Sequence, residues 1–220
     1  MFPLENNQQM STLDQLIYSR RSIRQYKPDR PPDEWIESLI MSAAQAPSPS
    51  NRQPVRFVKI SSENKKQLIH KALISSKEHL IARQQLLGIS KKIKNLIQSY
   101  YRFSAFMIDA PWLFAVGTEN TNDKSFFDRL VHAGLADQHH HSDAYMDICV
   151  GLSVNFFLLK AAELGLGTCI LTAPLVFVPD IKKMPEFSHI NLKCFITAGF
   201  PDESPPSPPK KNFSELYAEI

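Results

Sequence analysis

Hydrophobic and polar positions change their spacing several times along this chain, and each change predicts a new element. The capping-box spacing of Thr12 and Gln15 predicts the start of a short helix, whose apolar face carries Leu13, Leu16 and Ile17. Beyond Pro31 and Pro32, apolar side chains recur at i, i+3, i+4 and i+7. That spacing predicts a second helix, with an apolar face formed by Ile36, Leu39, Ile40, Ala43 and Ala44.

Four short apolar runs predict strands, at residues 56–60, 112–116, 168–171 and 192–200, with Gly117 ending the second. A nearly all-apolar stretch at 143–164 predicts a long helix that ends at Gly165 and Gly167 and is buried on most sides. Residues 63–103 are compatible with helix and unusually basic. Residues 118–142 are polar and predict irregular structure.

Helices that alternate with about four strands predict an α+β fold. We expect one domain over residues 1–220, with a helical insert at about 63–105 and a proline-rich C-terminal arm at 201–220. Five prolines between Pro201 and Pro209 rule out a helix there, so we expect that part of the arm to be extended.

The amino-acid composition favours a globular protein over a nucleic-acid-binding or membrane-spanning one. Hydrophobic residues make up 43% of the 220 residues and charged residues 21%, which is typical of globular proteins. A net charge of +3, with no basic tract interleaved with aromatic residues, gives no support for a nucleic-acid partner. The longest uncharged stretch, at 164–179, is too short and too broken by glycine and proline to span a membrane.

The cysteines and histidines predict neither a disulfide framework nor a metal site. Cys149, Cys169 and Cys194 are odd in number, far apart and form no CxxC pair, which fits a reducing compartment. The first residues lack the basic and apolar regions of a signal peptide, so we expect a cytoplasmic protein. The run His139–His141 is a poor metal site, because consecutive side chains point in different directions.

The segment just after the first predicted helix is a candidate anion site. It holds three guanidinium groups and a hydroxyl within five residues, contributed by Arg20, Arg21, Ser22 and Arg24. Arginine offers paired donors that match phosphate oxygens, and serine adds another. A solvated basic helix end is the alternative, and the spacing alone favours it.

Two other segments carry polar groups in stiff backbone. A loop at 46–54 combines prolines with side-chain donors and acceptors, among them Pro47, Ser48, Pro49 and Asn51. Such a loop can hold the edge of a planar heterocycle, although an ordinary turn is the simpler interpretation. The segment from Gly165 to Pro174 lacks the GxGxxG pattern, because Ile170 stands at the third glycine position, and it follows a helix rather than a strand.

Taken in order, RRSIR, APSPSNRQP, an apolar helix ending in GLGT, and GFP with a proline-rich basic tail resemble the nitroreductase family. The resemblance covers residues 13–60 and 143–211. It implies a mixed central sheet flanked by helices and an intertwined homodimer. It also implies FMN at the dimer interface, and ping-pong reduction of a small-molecule acceptor by NADH or NADPH.

The resemblance further implies which residues hold FMN. Arg20 and Ser22 would bind the phosphate, Arg24 the ribityl chain or the pyrimidine side of the ring, and Arg21 would act through its backbone. From the other chain the loop would contribute Pro47, Ser48, Pro49 and Asn51. The isoalloxazine ring would lie against Ile170, Leu171 and Thr172. The tail would close on the phosphate through Lys210 and Lys211. No catalytic side chain is required, because the cofactor carries the chemistry.

The sequence departs from the family pattern at three places. Pro49 stands where the family often has a second serine, Val55 where tryptophan commonly follows the QP pair, and Thr172 where some members have glutamate. These departures leave the substrate open between nitro compounds, quinones and flavins. Dehalogenation of iodotyrosines, fragmentation of reduced flavin and non-enzymatic flavin binding remain as alternatives.

Overall fold

The computed structural model describes residues 10–119, 126–135, 142–178, 181 and 183–220. The helices are α1 (Thr12–Ser19), α2 (Trp35–Ala43), α3 (Glu63–Leu86), α4 (Lys91–Ala105), α5 (Phe126–His132), α6 (Ser142–Glu163), α7 (Pro174–Phe177) and α8 (Phe213–Leu216). The strands are β1 (Val55–Lys59), β2 (Trp112–Glu119), β3 (Gly167–Leu171) and β4 (Ile190–Gly199). The predicted helices and strands are therefore present, within a few residues at their ends.

The four strands form an antiparallel sheet in the order β1-β2-β4-β3. A parallel element comes from an isolated bridge between Ser22 and Thr168, outside the named strands. The fold is the expected α+β arrangement, in which helices cover both faces of a central sheet. Strands β1 and β3 lie at opposite edges, and this separation decides how the candidate site is distributed.

Strand β2 is apolar on both faces because both are covered. Trp112, Phe114 and Val116 belong to the core beneath α2 and α6. Leu113 and Ala115 belong to the core beneath α3 and α7. A strand buried on two sides reads as a continuous apolar run rather than an alternating one, which is how residues 112–116 read.

Helix α6 is buried on one face only, which corrects the prediction of a helix buried on most sides. Val154 and Phe157 are buried against α2 and the sheet. Ile148, Leu152 and Phe156, spaced four residues apart, are 62%, 38% and 39% exposed. Residues Ala144–Glu163 are long and apolar enough to cross a membrane by length and composition alone, but a core helix passes the same test. An apolar stripe of this kind calls for a partner surface.

Two predicted boundaries were wrong for local reasons. Ser11, not Thr12, caps α1, and its hydroxyl accepts from the Asp14 backbone N–H at 3.2 Å. Strand β2 continues through Gly117 to Glu119, with a register shift between Val116 and Gly117. A Cβ at Gly117 would come within 2.4 Å of the Asn191 carbonyl oxygen, so the glycine permits a close strand approach instead of ending the strand.

Gly165 ends α6 as predicted, since its φ of 74° lies in the left-handed region and the Leu166 N–H donates back to the Ala161 carbonyl at 2.8 Å. The stretch 118–142, expected to be irregular, contains α5. The run His139–His141 lies outside the described residues.

Candidate functional site

Residues 20–26, which we call the anion segment, lie alongside the edge strand β3. Ser22 pairs with Thr168, and the Ile23 N–H donates to the Thr168 carbonyl at 2.9 Å. A Cβ at Gly167 would meet the Ile23 side chain at 2.7 Å, so glycine at this position lets the segment pack closely. The segment extends the sheet outward by one short parallel contact.

The Tyr26 hydroxyl fixes the anion segment from beneath. It donates to the Ile23 carbonyl at 2.6 Å and lies 2.7 Å from the Thr197 hydroxyl on β4. Burial raises the pKa of the Tyr26 phenol, so the group stays protonated. A half-buried phenol with two hydrogen-bond partners holds the backbone of the segment in one position.

The arginines of the segment point in different directions. The Arg21 guanidinium donates to the Tyr18 and Arg20 carbonyls at 2.7 and 2.8 Å, so its charge is used locally. The Arg20 guanidinium has no acidic partner within the described part of the chain. The Arg24 guanidinium lies 5.6 Å from the centre of the Phe103 ring on α4. Arg20 and Arg24 therefore carry the cations that an anionic ligand could use.

The C-terminal arm begins at the same place. The Glu203 carboxylate accepts from the backbone N–H groups of Arg24 and Gln25, the latter at 3.1 Å, and Tyr26 bridges to Pro201. From residue 206 onward the arm is exposed. Lys210 and Lys211 are exposed, and neither has a hydrogen bond or ion pair to the residues that the structure describes. Within one chain, no contact with the described residues fixes the positions of these two lysines.

The end of β3 presents an apolar surface. Ile170 is 43% exposed and Thr172 is also exposed, whereas Leu171 is 6% exposed and its side chain belongs to the core. Leu171 can thus offer only its backbone to a ligand. A pocket of about 430 Å³ opens beside Thr172, between the start of α7 and the helical insert, where α4 contributes Leu96, Ile97 and Tyr100.

The Cys169 thiol lies under the anion segment. Burial raises its pKa, against smaller opposing effects of the Arg24 charge and a hydrogen bond from Ser22. A protonated, buried thiol packs as a small apolar side chain and is a poor nucleophile. Cys149 and Cys194 are also free and buried.

The loop at 46–54 has strained backbone, unlike an ordinary turn. Ser50, Asn51 and Gln53 have φ values of 52°, 52° and 46°, in the left-handed region that disfavours side chains. The loop is held by its own groups: the Gln53 N–H donates to the Ser48 hydroxyl, and the Gln53 amide donates to the Asn51 side-chain oxygen, both at 2.9 Å. Strain maintained in this way is typical of ligand-binding loops.

Pro47 and Ser48 line a second cleft, of about 280 Å³, between the loop, α2 and the start of β1. Cys149 and Ser153 of α6 complete its wall, next to the exposed apolar stripe of that helix. Pro49 and Asn51 are exposed at the surface of the loop.

The structure thus divides the predicted site residues into two groups at opposite edges of the sheet. The anion segment and Ile170–Thr172 lie at the β3 edge, and the loop with Pro47, Ser48, Pro49 and Asn51 leads into β1. Three strand spacings separate β1 from β3, roughly 14 Å. The two groups of one chain are thus attached to strands that are not neighbours in the sheet.

Sequence reasoning missed three residues of the site. Tyr26, Phe103 and Glu203 position the anion segment through a half-buried hydroxyl, a ring face and a carboxylate. Thr197 and Glu203 lie 171 and 179 residues from their partners, and no spacing rule connects such distant positions. Among the described residues, no three His, Cys, Asp or Glu side chains form a group that could hold a metal ion.

Comparison of this sequence with known proteins identifies a matching family model and similar curated proteins. Residues 17–200 match the model of the Nitroreductase family. The iodotyrosine dehalogenase 1 homolog of Caenorhabditis elegans is 28% identical over 207 residues, which cover 90% of this chain and 59% of that protein. The iodotyrosine deiodinase of Thermotoga neapolitana is 25% identical over 212 residues, covering 94% of this chain and 98% of that protein. The chain therefore spans about three fifths of the first relative and nearly all of the second.

Solved structures share the fold. A BluB-like flavoprotein from Clostridium difficile superposes with a TM-score of 0.79 at 24% identity, covering 96% of this chain and 100% of that chain. An iodotyrosine deiodinase bound to FMN and 3-iodo-L-tyrosine has a TM-score of 0.63 at 22% identity, covering 91% and 96%. The FMN-dependent nitroreductase NfnB from Mycobacterium smegmatis, in complex with NADPH, has a TM-score of 0.63 at 18% identity, covering 94% and 96%.

Proposed function

This chain belongs to the nitroreductase family, and from that premise we propose that it is an FMN-dependent oxidoreductase that works as a homodimer. NADH or NADPH would supply the electrons, and a small electron-poor molecule such as a nitro compound, a quinone or a flavin would accept them. Donor and acceptor would use one site in turn, which is a ping-pong mechanism.

A single observation carries the proposal: the two ends of strand β3 offer complementary environments. Ser22 pairs with Thr168 at one end, close in sequence to the Arg20 cation. Thr172 follows the other end, beside an apolar pocket. Four residues of strand separate Thr168 from Thr172, about 13 Å. The edge is therefore suited to a molecule that has an anionic group at one end and a flat apolar ring at the other.

The residues of the β3 edge fit FMN. Arg20 and Ser22 would hold its phosphate, because the Arg20 guanidinium has no acidic partner in the described part of the chain. Arg21 would contribute only backbone, since its guanidinium is bound to local carbonyls. Arg24 would lie nearer the ring end, where a cation favours the added charge of the reduced cofactor. When bound, FMN supplies two-electron transfer between a nicotinamide and an acceptor.

The division of the site between two sheet edges supports a dimer. Pro47, Ser48, Pro49 and Asn51 would approach the cofactor from the partner subunit, because their own loop leads into β1, three strand spacings (roughly 14 Å) from β3 in the sheet. The exposed stripe of Ile148, Leu152 and Phe156 on α6 lies next to the cleft behind the loop, and a second copy of the chain would cover it. The exposed arm would deliver Lys210 or Lys211 to the phosphate in the assembled dimer.

Reductive dehalogenation is the second candidate, and the names of the relatives favour it. Seven curated proteins match, and those compared above are an iodotyrosine dehalogenase homolog and an iodotyrosine deiodinase. The reaction would replace a carbon–halogen bond with carbon–hydrogen, taking up two electrons and a proton and releasing halide. The proposed cofactor site serves this reaction equally, so the two candidates differ only in the acceptor.

The test begins with the cofactor of the purified full-length protein. Chromatography of the released chromophore against an FMN standard checks the binding proposal, and a colourless protein that does not take up added FMN overturns it. Anaerobic addition of NADH or NADPH should then bleach the bound flavin. A yellow protein that neither nicotinamide reduces would instead be a flavin-binding protein without this activity.

Steady-state assays separate the two candidate reactions. A nitrofuran, a quinone, free flavin and 3-iodo-L-tyrosine are offered as acceptors, with iodide release measured for the last. Double-reciprocal plots at several acceptor concentrations should be parallel, because donor and acceptor use the same site in turn. Intersecting lines would contradict the single-site mechanism.

A further inference from the structure

The pocket beside Thr172 has an uncharged lining. It lies between α4 and α7, and its volume of about 430 Å³ falls in the range of small-molecule sites. Its walls are hydrocarbon except for two hydroxyls, those of Tyr100 and Thr172. Leu96 and Tyr100 are each 51% exposed and Val176 is 69% exposed, so an apolar occupant would remove a substantial apolar surface from water.

The position of the pocket connects it to the proposed cofactor site, and the inference rests on that proposed function. Thr172 directly follows β3, and Ile170 is exposed on the same strand. Tyr100 lies one helical turn before Phe103, which stacks on Arg24 of the anion segment. The pocket therefore adjoins the end of β3 at which the ring of the cofactor is proposed to lie.

The charge of the lining decides which acceptors fit. An amino acid such as 3-iodo-L-tyrosine carries an ammonium and a carboxylate group, and burying either one requires an opposite charge or several hydrogen bonds. The described lining offers an ammonium group no acidic side chain. We propose that this pocket takes a flat, uncharged aromatic acceptor, such as a halogenated phenol or a nitroarene, and discriminates against an amino acid that bears the same ring.

The two hydroxyls give the pocket its orientation. Tyr100 and Thr172 are its polar groups among otherwise apolar walls, and few, well-placed polar groups are what fix a ligand in an apolar site. A phenolic acceptor would exchange a hydrogen bond with Tyr100. An acceptor without a hydroxyl would bind by apolar contact alone.

Equilibrium dialysis of the full-length protein tests the selectivity by binding alone. The probes are 2-iodophenol and 3-iodo-L-tyrosine, which share an iodinated phenol ring and differ in the ammonium and carboxylate groups that only the second carries. We expect 2-iodophenol to bind at least about tenfold more tightly, which corresponds to one unpaired polar group or more. Equal affinity for the two probes overturns the proposal.

A charge placed in the pocket provides the mutational test. Leu96→Lys should weaken 2-iodophenol binding by about tenfold or more, because the ammonium group must be desolvated or must displace the ring. Leu86→Lys is the matched control, since Leu86 lies on the same helical insert, is 86% exposed and does not line the pocket. Equal losses of 2-iodophenol affinity in the two variants would mean that the ligand binds outside this pocket.

Tyr100→Phe tests orientation without changing shape. Affinity for 2-iodophenol should fall about three- to tenfold, while affinity for iodobenzene stays within about twofold. If no probe binds although the protein holds FMN, the pocket inference fails and the proposed function stands. If the protein binds no FMN but still binds 2-iodophenol, and Leu96→Lys weakens that binding, the proposed function fails and the pocket inference stands.

Discussion

Two parts of the chain would bring cations to the same anion, and they differ in how much of their geometry one subunit fixes. The anion segment, residues 20–26, is held by backbone bonds to β3, by the Tyr26 hydroxyl and by the Glu203 carboxylate. The C-terminal arm follows the sheet only to Glu203, and Lys210 and Lys211 are exposed. The first part is organised before any ligand or partner arrives, whereas the second needs another surface to hold it.

This difference predicts separate effects on cofactor affinity and on dimer assembly. A preorganised segment loses little conformational entropy when it binds, so each of its hydrogen bonds contributes directly to affinity. An exposed arm loses entropy when it becomes ordered, and it gains only if the partner subunit supplies contacts. Changes to the cations of the anion segment should therefore alter cofactor affinity without altering dimerisation, and changes in the arm should alter dimerisation and cofactor binding together.

Truncation after Ser204 should have the largest effect. It keeps Glu203 and its hydrogen bonds to the anion segment, but it removes Lys210, Lys211 and α8, with its stacked Phe213–Tyr217 rings 5.0 Å apart. We expect dimer stability and FMN occupancy to fall together, because nine residues of extended Pro-rich chain, at positions 201–209, reach roughly 28 Å, far enough to cross onto a partner. Light scattering and flavin stoichiometry measure both. A folded monomer that retains stoichiometric FMN would contradict the shared site.

Arg20→Ala should weaken FMN binding by about 1.5–3 kcal/mol, the contribution of hydrogen bonds to a charged group. Titration of the apoprotein by flavin fluorescence measures the affinity. Arg21→Ala is the matched control, one residue away, because its guanidinium already binds the Tyr18 and Arg20 carbonyls. Similar losses in the two variants would show that general basicity, rather than the geometry of the segment, attracts the phosphate.

Tyr26→Phe should lower the free energy of unfolding by about 1–3 kcal/mol, because it leaves the Ile23 carbonyl and the Thr197 hydroxyl without this half-buried partner. Urea denaturation followed by circular dichroism gives the value. Tyr217→Phe makes the same chemical change on the arm, where the ring is 54% exposed, and should change stability by less than about 0.5 kcal/mol. Equal effects would mean that the segment and the arm are held alike.

Ser50→Gly should have the smallest effect, a gain of about 0.5–1 kcal/mol, because glycine adopts the φ of 52° without the strain that a side chain brings. Ser207, on the exposed arm, has no positive φ, so Ser207→Gly should be neutral or slightly destabilising. Thermal unfolding of both variants provides the comparison. A loss of stability at Ser50 would mean that its side chain is needed in the loop.

Local patterns were sufficient for most of the elements. Helical spacing predicted α2, the buried run at 112–116 predicted β2, and glycine at position 165 predicted the end of α6, because each depends on residues within a few positions of one another. Motif order was sufficient for the family, since RRSIR and the later segments keep their sequence and spacing. Gly117 misled the prediction, because its role depends on the Asn191 backbone of a different strand.

What the sequence determined by itself is the set of elements, the family and the residue types available to bind an anion and a flat ring. The tertiary structure alone decided which of those residues meet. It joined Arg24 to Phe103 and Tyr26 to Thr197, and it placed the loop at 46–54 at the sheet edge opposite β3. It also left one face of α6 exposed. Contacts between distant positions depend on strand order and packing geometry, which no local spacing in a single sequence records.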